Sequence, residues 1–215
     1  MNRARQIAVL ATAAAVAAGC ASSASAPELD AQAVQVMNSS FRDQGIAKVE
    51  RLNQDLAQQA CSSAKPPSEQ VARRINAEAE ATIRWPADGQ YFGDWREGEK
   101  LAQSGRGMTW TDPSASFKDS GGNCYNCHQI DKREISFGTI GPSLWNYGKA
   151  RLITDVTEPR AVPIVKYTWG KLWNSRAYVA CSNMPRFGHN KLLDEQQLRD
   201  LMSLLLDPKS PVNSQ

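Results

Sequence analysis

Residues 124–128 read Cys-Tyr-Asn-Cys-His. Two thiols with two residues between them, followed at once by an imidazole, suit one chemistry above others. The thiols can add across the two vinyl groups of a porphyrin, and the imidazole then lands beneath its iron. This is the attachment pattern of a c-type haem. Cys124 and Cys127 are therefore read as covalent haem anchors and His128 as an axial ligand of the haem iron. The same pair has other uses. A redox dithiol needs a strand–helix setting, and the flank here is Ser120-Gly121-Gly122-Asn123. Half a zinc site needs further ligands at matching spacing. The chain has two His, His128 and His189, and its other Cys stand singly at 20, 61 and 181.

A six-coordinate haem needs a ligand on the other face of the iron. The candidates are Met184, His189, Cys181, Met108 and Met202. Met202 falls on the apolar face of the last helix and reads as core. Met108 lies in a Gly-rich loop ahead of the motif. Met184 sits in Asn183-Met184-Pro185-Arg186-Phe187-Gly188, 56 residues after His128. A Met flanked by Asn and Pro in a stiff loop has little reason to be core filler, and a His/Met pair suits electron transfer. Met184 is the preferred ligand and His189 the runner-up. Cys181 as a thiolate would lower the potential. Counting suggests another use for it. With the motif pair and Cys20 set aside, Cys61 and Cys181 remain, and in an oxidising compartment the two would form a disulfide. Arg186 is read either as a partner of a haem propionate or a docking protein, or as a solvated surface residue.

The elements that must position these residues are helical. Glu28 to Gln59 has helical composition, with Val49, Leu52 and Leu56 on one stripe and a break near Gly45. A second helix is expected over 68–83, ended by Trp85-Pro86. Short helices are expected at Asp94–Ser104 and Pro163–Trp173, with loop from Gly105 to Asn123. The last helix has the clearest start. Asp194 caps it, Gln197 completes a capping box, and Leu193 with Leu198 makes a staple. Its buried face is Leu198, Leu201, Met202 and Leu205, and Pro208 ends it. No strand alternation and no repeat appears, so the fold class is all-α. The organisation read from this is an export signal at 1–26, an N-terminal helical extension at 27–90, a haem-bearing domain at 91–210 and a tail at 211–215.

Compartment follows from the N-terminus. Asn2-Arg3-Ala4-Arg5 is a basic start, and Ile7 to Ala18 is an apolar run too short to span a bilayer comfortably. Val16-Ala17-Ala18-Gly19-Cys20 is similar to a bacterial lipobox, which would make Cys20 a lipidated first residue. Ordinary cleavage near Ala24 or Ala26 is the alternative. Either places the mature chain in the periplasm, attached to membrane by lipid alone if at all. Removing Arg3 and Arg5 from 25 basic residues leaves 23 against 22 acidic ones, a net +1. No basic run is present, which argues against nucleic acid. Roughly 190 mature residues suffice for one domain with an extension.

The order of helix, Cys-x-x-Cys-His, Gly141-Pro142-Ser143-Leu144, Met184-Pro185 in a loop and amphipathic last helix resembles class I cytochrome c, from about Asp94 to Asp207. The resemblance implies that the Pro142 carbonyl accepts a hydrogen bond from His128, that Leu144 packs on the porphyrin, and that one haem c is bound covalently. The chain departs from the family at Gly105–Asn123, where small cytochromes run almost directly from first helix to motif. Trp85-Pro86-Ala87-Asp88-Gly89, Gly93-Asp94-Trp95, Lys166-Tyr167-Thr168-Trp169 and Cys181 to Gly188 are similar to the SoxX family, the monohaem subunits of SoxAX complexes in bacterial sulfur oxidation. That resemblance implies a heterodimer with a SoxA-like cytochrome subunit that carries the catalytic haem. It also implies transient contact with the SoxYZ carrier and a small electron-acceptor cytochrome. The chain would then take electrons as thiosulfate is joined to a carrier cysteine, within an L-cysteine S-thiosulfotransferase, having no catalytic residue of its own. A freestanding periplasmic electron shuttle is the alternative, and a haem enzyme with an open distal site is a third reading that Met184 argues against.

Overall fold

The computed structural model describes residues 25–112 and 120–214. The readings of the export signal and the Cys20 lipobox fall outside the described residues, as does part of the 105–123 loop. Among the described residues the chain is helical, and its only strand-like pairing is an isolated bridge between Gln44 and Ala47. No described helix is long and apolar enough to cross a membrane.

The chain divides into two compact units, 1–42 and 43–215. In the first, α1 spans Ala26–Ser40. Ser25 and Glu28 cap it reciprocally, with Ser25 N donating to Glu28 Oε2 at 2.7 Å. None of its residues is buried. The helical run expected from Glu28 to Gln59 is therefore shorter than its composition suggests. Gly45 takes φ +49 to turn the chain, Val49–Leu52 forms a single 3₁₀ turn, and α2 restarts at Leu56–Cys61. Asp55 causes that restart, because its carboxylate accepts from Gln58 N at 2.7 Å and satisfies an orphan amide of the first turn. Residues 43–90, read above as part of an extension, lie in the same compact unit as the haem motif.

In the second unit, α3 covers Glu69–Glu80 behind its Ser68 cap, α4 covers Trp95–Gln103 behind Asp94, α5 covers Val162–Trp173 and α6 covers Glu195–Leu206. The capping box of α6 is present, with Gln197 N donating to Asp194 Oδ1 at 2.8 Å and Asp194 N to Gln197 Oε1 at 2.9 Å. The end of α6 buries more than one stripe. Leu198 and every residue from Asp200 to Leu206 are buried. The two polar ones are satisfied by the chain entering α4. Asp200 Oδ1 accepts from Asp94 N at 2.9 Å, while the Ser203 hydroxyl accepts from Gly93 N and donates to Gly93 O. Gly98 lets α4 and α6 approach closely, since a Cβ there would stand 2.2 Å from the Asp200 carbonyl oxygen.

The main core gathers around α6. It includes Ile130, Tyr147, Trp169, Leu172 and Phe187, with Trp169 fully buried and its indole N–H donating to Arg84 O at 2.8 Å. Each fully buried leucine here is worth roughly 1.5–3 kcal/mol of transfer free energy. A second, smaller core joins Ala57, Ile75 and Ala180, with Ala60, Val71 and Ala72 against it. Cys61 and Cys181 are bonded to one another, with Cα atoms 5.5 Å apart across 120 positions of chain.

Candidate haem-attachment site

The motif hangs from the end of α4. Gly122 N donates to Leu101 O at 2.8 Å and Asn123 N to Ser104 O at 2.9 Å. Asn123 takes a left-handed conformation, φ 49, and turns the chain into the 3₁₀ turn Cys124–Asn126. Cys127 N and His128 N both donate to Cys124 O. The following loop is strapped beneath. Gly138 N donates to Tyr125 O, Gly141 N to Cys127 O and Leu144 N to Gln129 O, all at 2.7–2.8 Å. Cys124 and Cys127 are both unbonded, and burial, chiefly, pushes the Cys124 thiol up to about 12.

His128 is fixed in tautomer and in orientation. Its Nδ1 lies 2.6 Å from the Pro142 carbonyl oxygen. A carbonyl can only accept, so Nδ1 carries the proton and Nε2 keeps its lone pair for a metal. Beneath the ring, a Cβ on Gly141 would come within 2.2 Å of Cε1 and 2.5 Å of Nδ1. Position 141 is thus a cradle that only glycine leaves open. Leu144 and Met184 are half-buried and pack on the main core, as does Cys124.

Met184 is held by its backbone. The fully buried Ser175 hydroxyl donates to Met184 O at 2.7 Å, and Met184 N donates to Ser182 Oγ at 3.3 Å. Its side chain packs against the main core. The other candidates are placed differently. Cys181 is spent in the disulfide and offers no thiolate. Met202 is fully buried in α6. Met108 sits at φ 58 in the loop before the motif. His189 lines a separate concavity of about 580 Å³ with Ile83, Trp173 and Leu193, and burial, then Arg186, lowers its pKa. That concavity includes none of Cys124, Cys127, His128 and Met184. Arg186 pairs with Asp55 at 3.8 Å, a third option beyond the propionate and solvent readings.

These residues fit a c-type haem: two free thiols in register, an imidazole with a fixed free Nε2, and a thioether on a pinned loop. Sequence reasoning missed Ser175, Asn174, Asn76 and Asp55, whose contacts tie the Met184 loop down. An Asn-Ser pair after a helix signals only a cap, so nothing local marks them.

Comparison with known proteins agrees with the geometry. The family model described as cytochrome c matches residues 114–207. An uncharacterised lipoprotein of Aquifex aeolicus (strain VF5) is 38% identical over 167 residues, covering 74% of this chain and 73% of that protein. The matched region holds Cys-x-x-Cys-His, Gly-Pro-x-Leu and Met-Pro in the order described. The chain carries a cytochrome c domain, of the kind that binds haem c covalently and passes electrons.

Proposed function

We propose that this protein is the electron-accepting haem-c subunit of a thiosulfate-oxidising complex of the SoxAX type. The observation that carries the electron-transfer role is a His128 fixed in tautomer within Cys-x-x-Cys-His, to which the Met184 loop, pinned through Ser175, would supply the second ligand. Cys124 and Cys127 would hold one haem by thioethers, His128 Nε2 would take one axial position and Met184 Sδ the other. Bound there, haem c supplies a one-electron ferric–ferrous couple. The Pro142 carbonyl keeps the imidazole proton on Nδ1 and makes the ring a better donor. The Met184 thioether favours the ferrous state relative to a second imidazole and so raises the potential. With both positions taken by side chains, a substrate would reach the iron only by displacing Met184. The residues of this chain therefore hold and tune, and the sulfur chemistry belongs to a partner.

The SoxAX part rests on the sequence around Met184 and on segments 85–89, 93–95 and 166–169. It implies a SoxA-like partner with a thiolate-ligated haem, the SoxYZ carrier as substrate, and a small cytochrome as acceptor. The lipobox-like Cys20 and the likeness to an Aquifex lipoprotein support a periplasmic chain tethered by lipid. The test mixes the haem-loaded protein with a SoxA-type subunit, SoxYZ and thiosulfate, and follows reduction of this haem by absorption. Co-elution with the SoxA-type subunit and reduction only in the full mixture are expected. A haem that stays monomeric and is reduced equally by unrelated donors would instead mark a freestanding shuttle.

A further inference from the structure

We propose that residues 55–82 are a clamp that sets the stiffness of the Met184 loop, with Ser175 as the positioning residue through which it acts. The inference rests on Met184 being the haem ligand and adds what controls it. Four kinds of contact join this segment to residues 174–186. The first is covalent, the Cys61–Cys181 bond. The second is apolar, the small core in which Ala180 meets Ala57 of α2 and Ile75 of α3. The third is ionic: Asp55 faces Arg176 at 3.3 Å and Arg186 at 3.8 Å. The fourth is a set of hydrogen bonds to the turn that carries Ser175. Asn76 Nδ2 donates to Arg176 O at 2.6 Å, and the buried Asn174 donates to Thr82 Oγ1 at 2.9 Å.

These contacts bracket Met184. Ala180 and Cys181 are anchored on one side and Arg186 on the other, and Ser175 Oγ holds the carbonyl of Met184 itself. A thioether is a weak ligand, so its retention depends on how little the loop can wander. Each anchor removed lengthens the free segment and makes departure of the sulfur easier. A merely structural role for residues 55–82 would lower overall stability without singling out the loop.

The experiment uses the haem-loaded full chain and the far-red sulfur-to-iron band of the ferric protein, read as a function of pH alongside denaturant unfolding. Ser175→Ala and the pair Cys61→Ser/Cys181→Ser are compared with Ser203→Ala, which removes the hydrogen bonds between α6 and Gly93 ahead of α4. Met184→Ala is run in parallel. The expected result is that the first two lose the band at least one pH unit below wild type, a tenfold shift in loop opening, while Ser203→Ala does not. A band equally stable in all, or shifted equally in all three, overturns the clamp while leaving Met184 as ligand. A wild-type spectrum without the band, unaltered by Met184→Ala, overturns the ligand reading and the clamp with it.

Discussion

The His128 side of the site is fixed by contacts drawn from residues 101–144, whereas the Met184 side is tied to residues 120 and more positions away. The motif and the loop beneath it exchange backbone hydrogen bonds across short loops, whose closure costs little entropy. The Met184 loop depends on α2 and α3, and so on the whole unit being folded. Local opening follows the number and range of contacts that must break. The difference assigns the two sides different tasks. One is a self-contained seat for covalent attachment. The other is a ligand whose hold depends on the surrounding fold.

The sharpest way to break this contrast is to cut the covalent tie. Cys61→Ser/Cys181→Ser opens a loop of 120 positions, for which chain entropy alone predicts a loss on the order of 5 kcal/mol. Denaturant unfolding of the haem-loaded protein measures it. Haem attachment, judged by covalent haem staining, should persist, because no contact of the motif is touched. A loss below about 1 kcal/mol would mean that the Met184 side stands without its strap.

The same split decides what could be read in advance. Cys-x-x-Cys-His, Pro142, the Asp194 capping box and the leucines of α6 lie in short windows whose spacing states their purpose. The disulfide emerged from counting, since only two cysteines were left. By contrast, Val49, Leu52 and Leu56 share a helical spacing yet fall in two separate elements, because Asp55 starts a new helix at Leu56. A cap three residues before a Gln outweighed a three-residue stripe. Asp200 and Ser203 are buried although polar, because backbone groups at 93 and 94 meet them from over 100 positions away. Ser175 and Asn76 are illegible for the same reason. A side chain's distant partner leaves no mark on its neighbours in sequence.

The His128 side can be broken from beneath. Gly141→Ala would place a methyl group 2.2 Å from the imidazole Cε1, so the ring or the loop must shift. Overpacking of this kind costs roughly 1–3 kcal/mol. Low-spin ferric signals in electron paramagnetic resonance should move as the ring tilts, while the far-red band from the Met184 side stays. Unchanged signals would show that the ring does not rest on position 141.

The smallest effect isolates charge. Asp55 both caps α2 and faces Arg176 and Arg186. Asn caps about as well as Asp, so Asp55→Asn removes the ion pairs and spares the helix start. Asp55 is about half exposed, at 46%, which holds the expected loss to about 1 kcal/mol or less. Burial and then Arg176 lower the pKa of Arg186, with Asp55 opposing them. Removing Asp55 therefore leaves two guanidiniums to repel each other beside the Met184 loop. The destabilisation should be greatest at low salt and vanish near 1 M, where screening acts over ~3 Å. A loss independent of salt would mean that Asp55 acts as a cap alone, and that the ionic tie is not part of what holds the Met184 side.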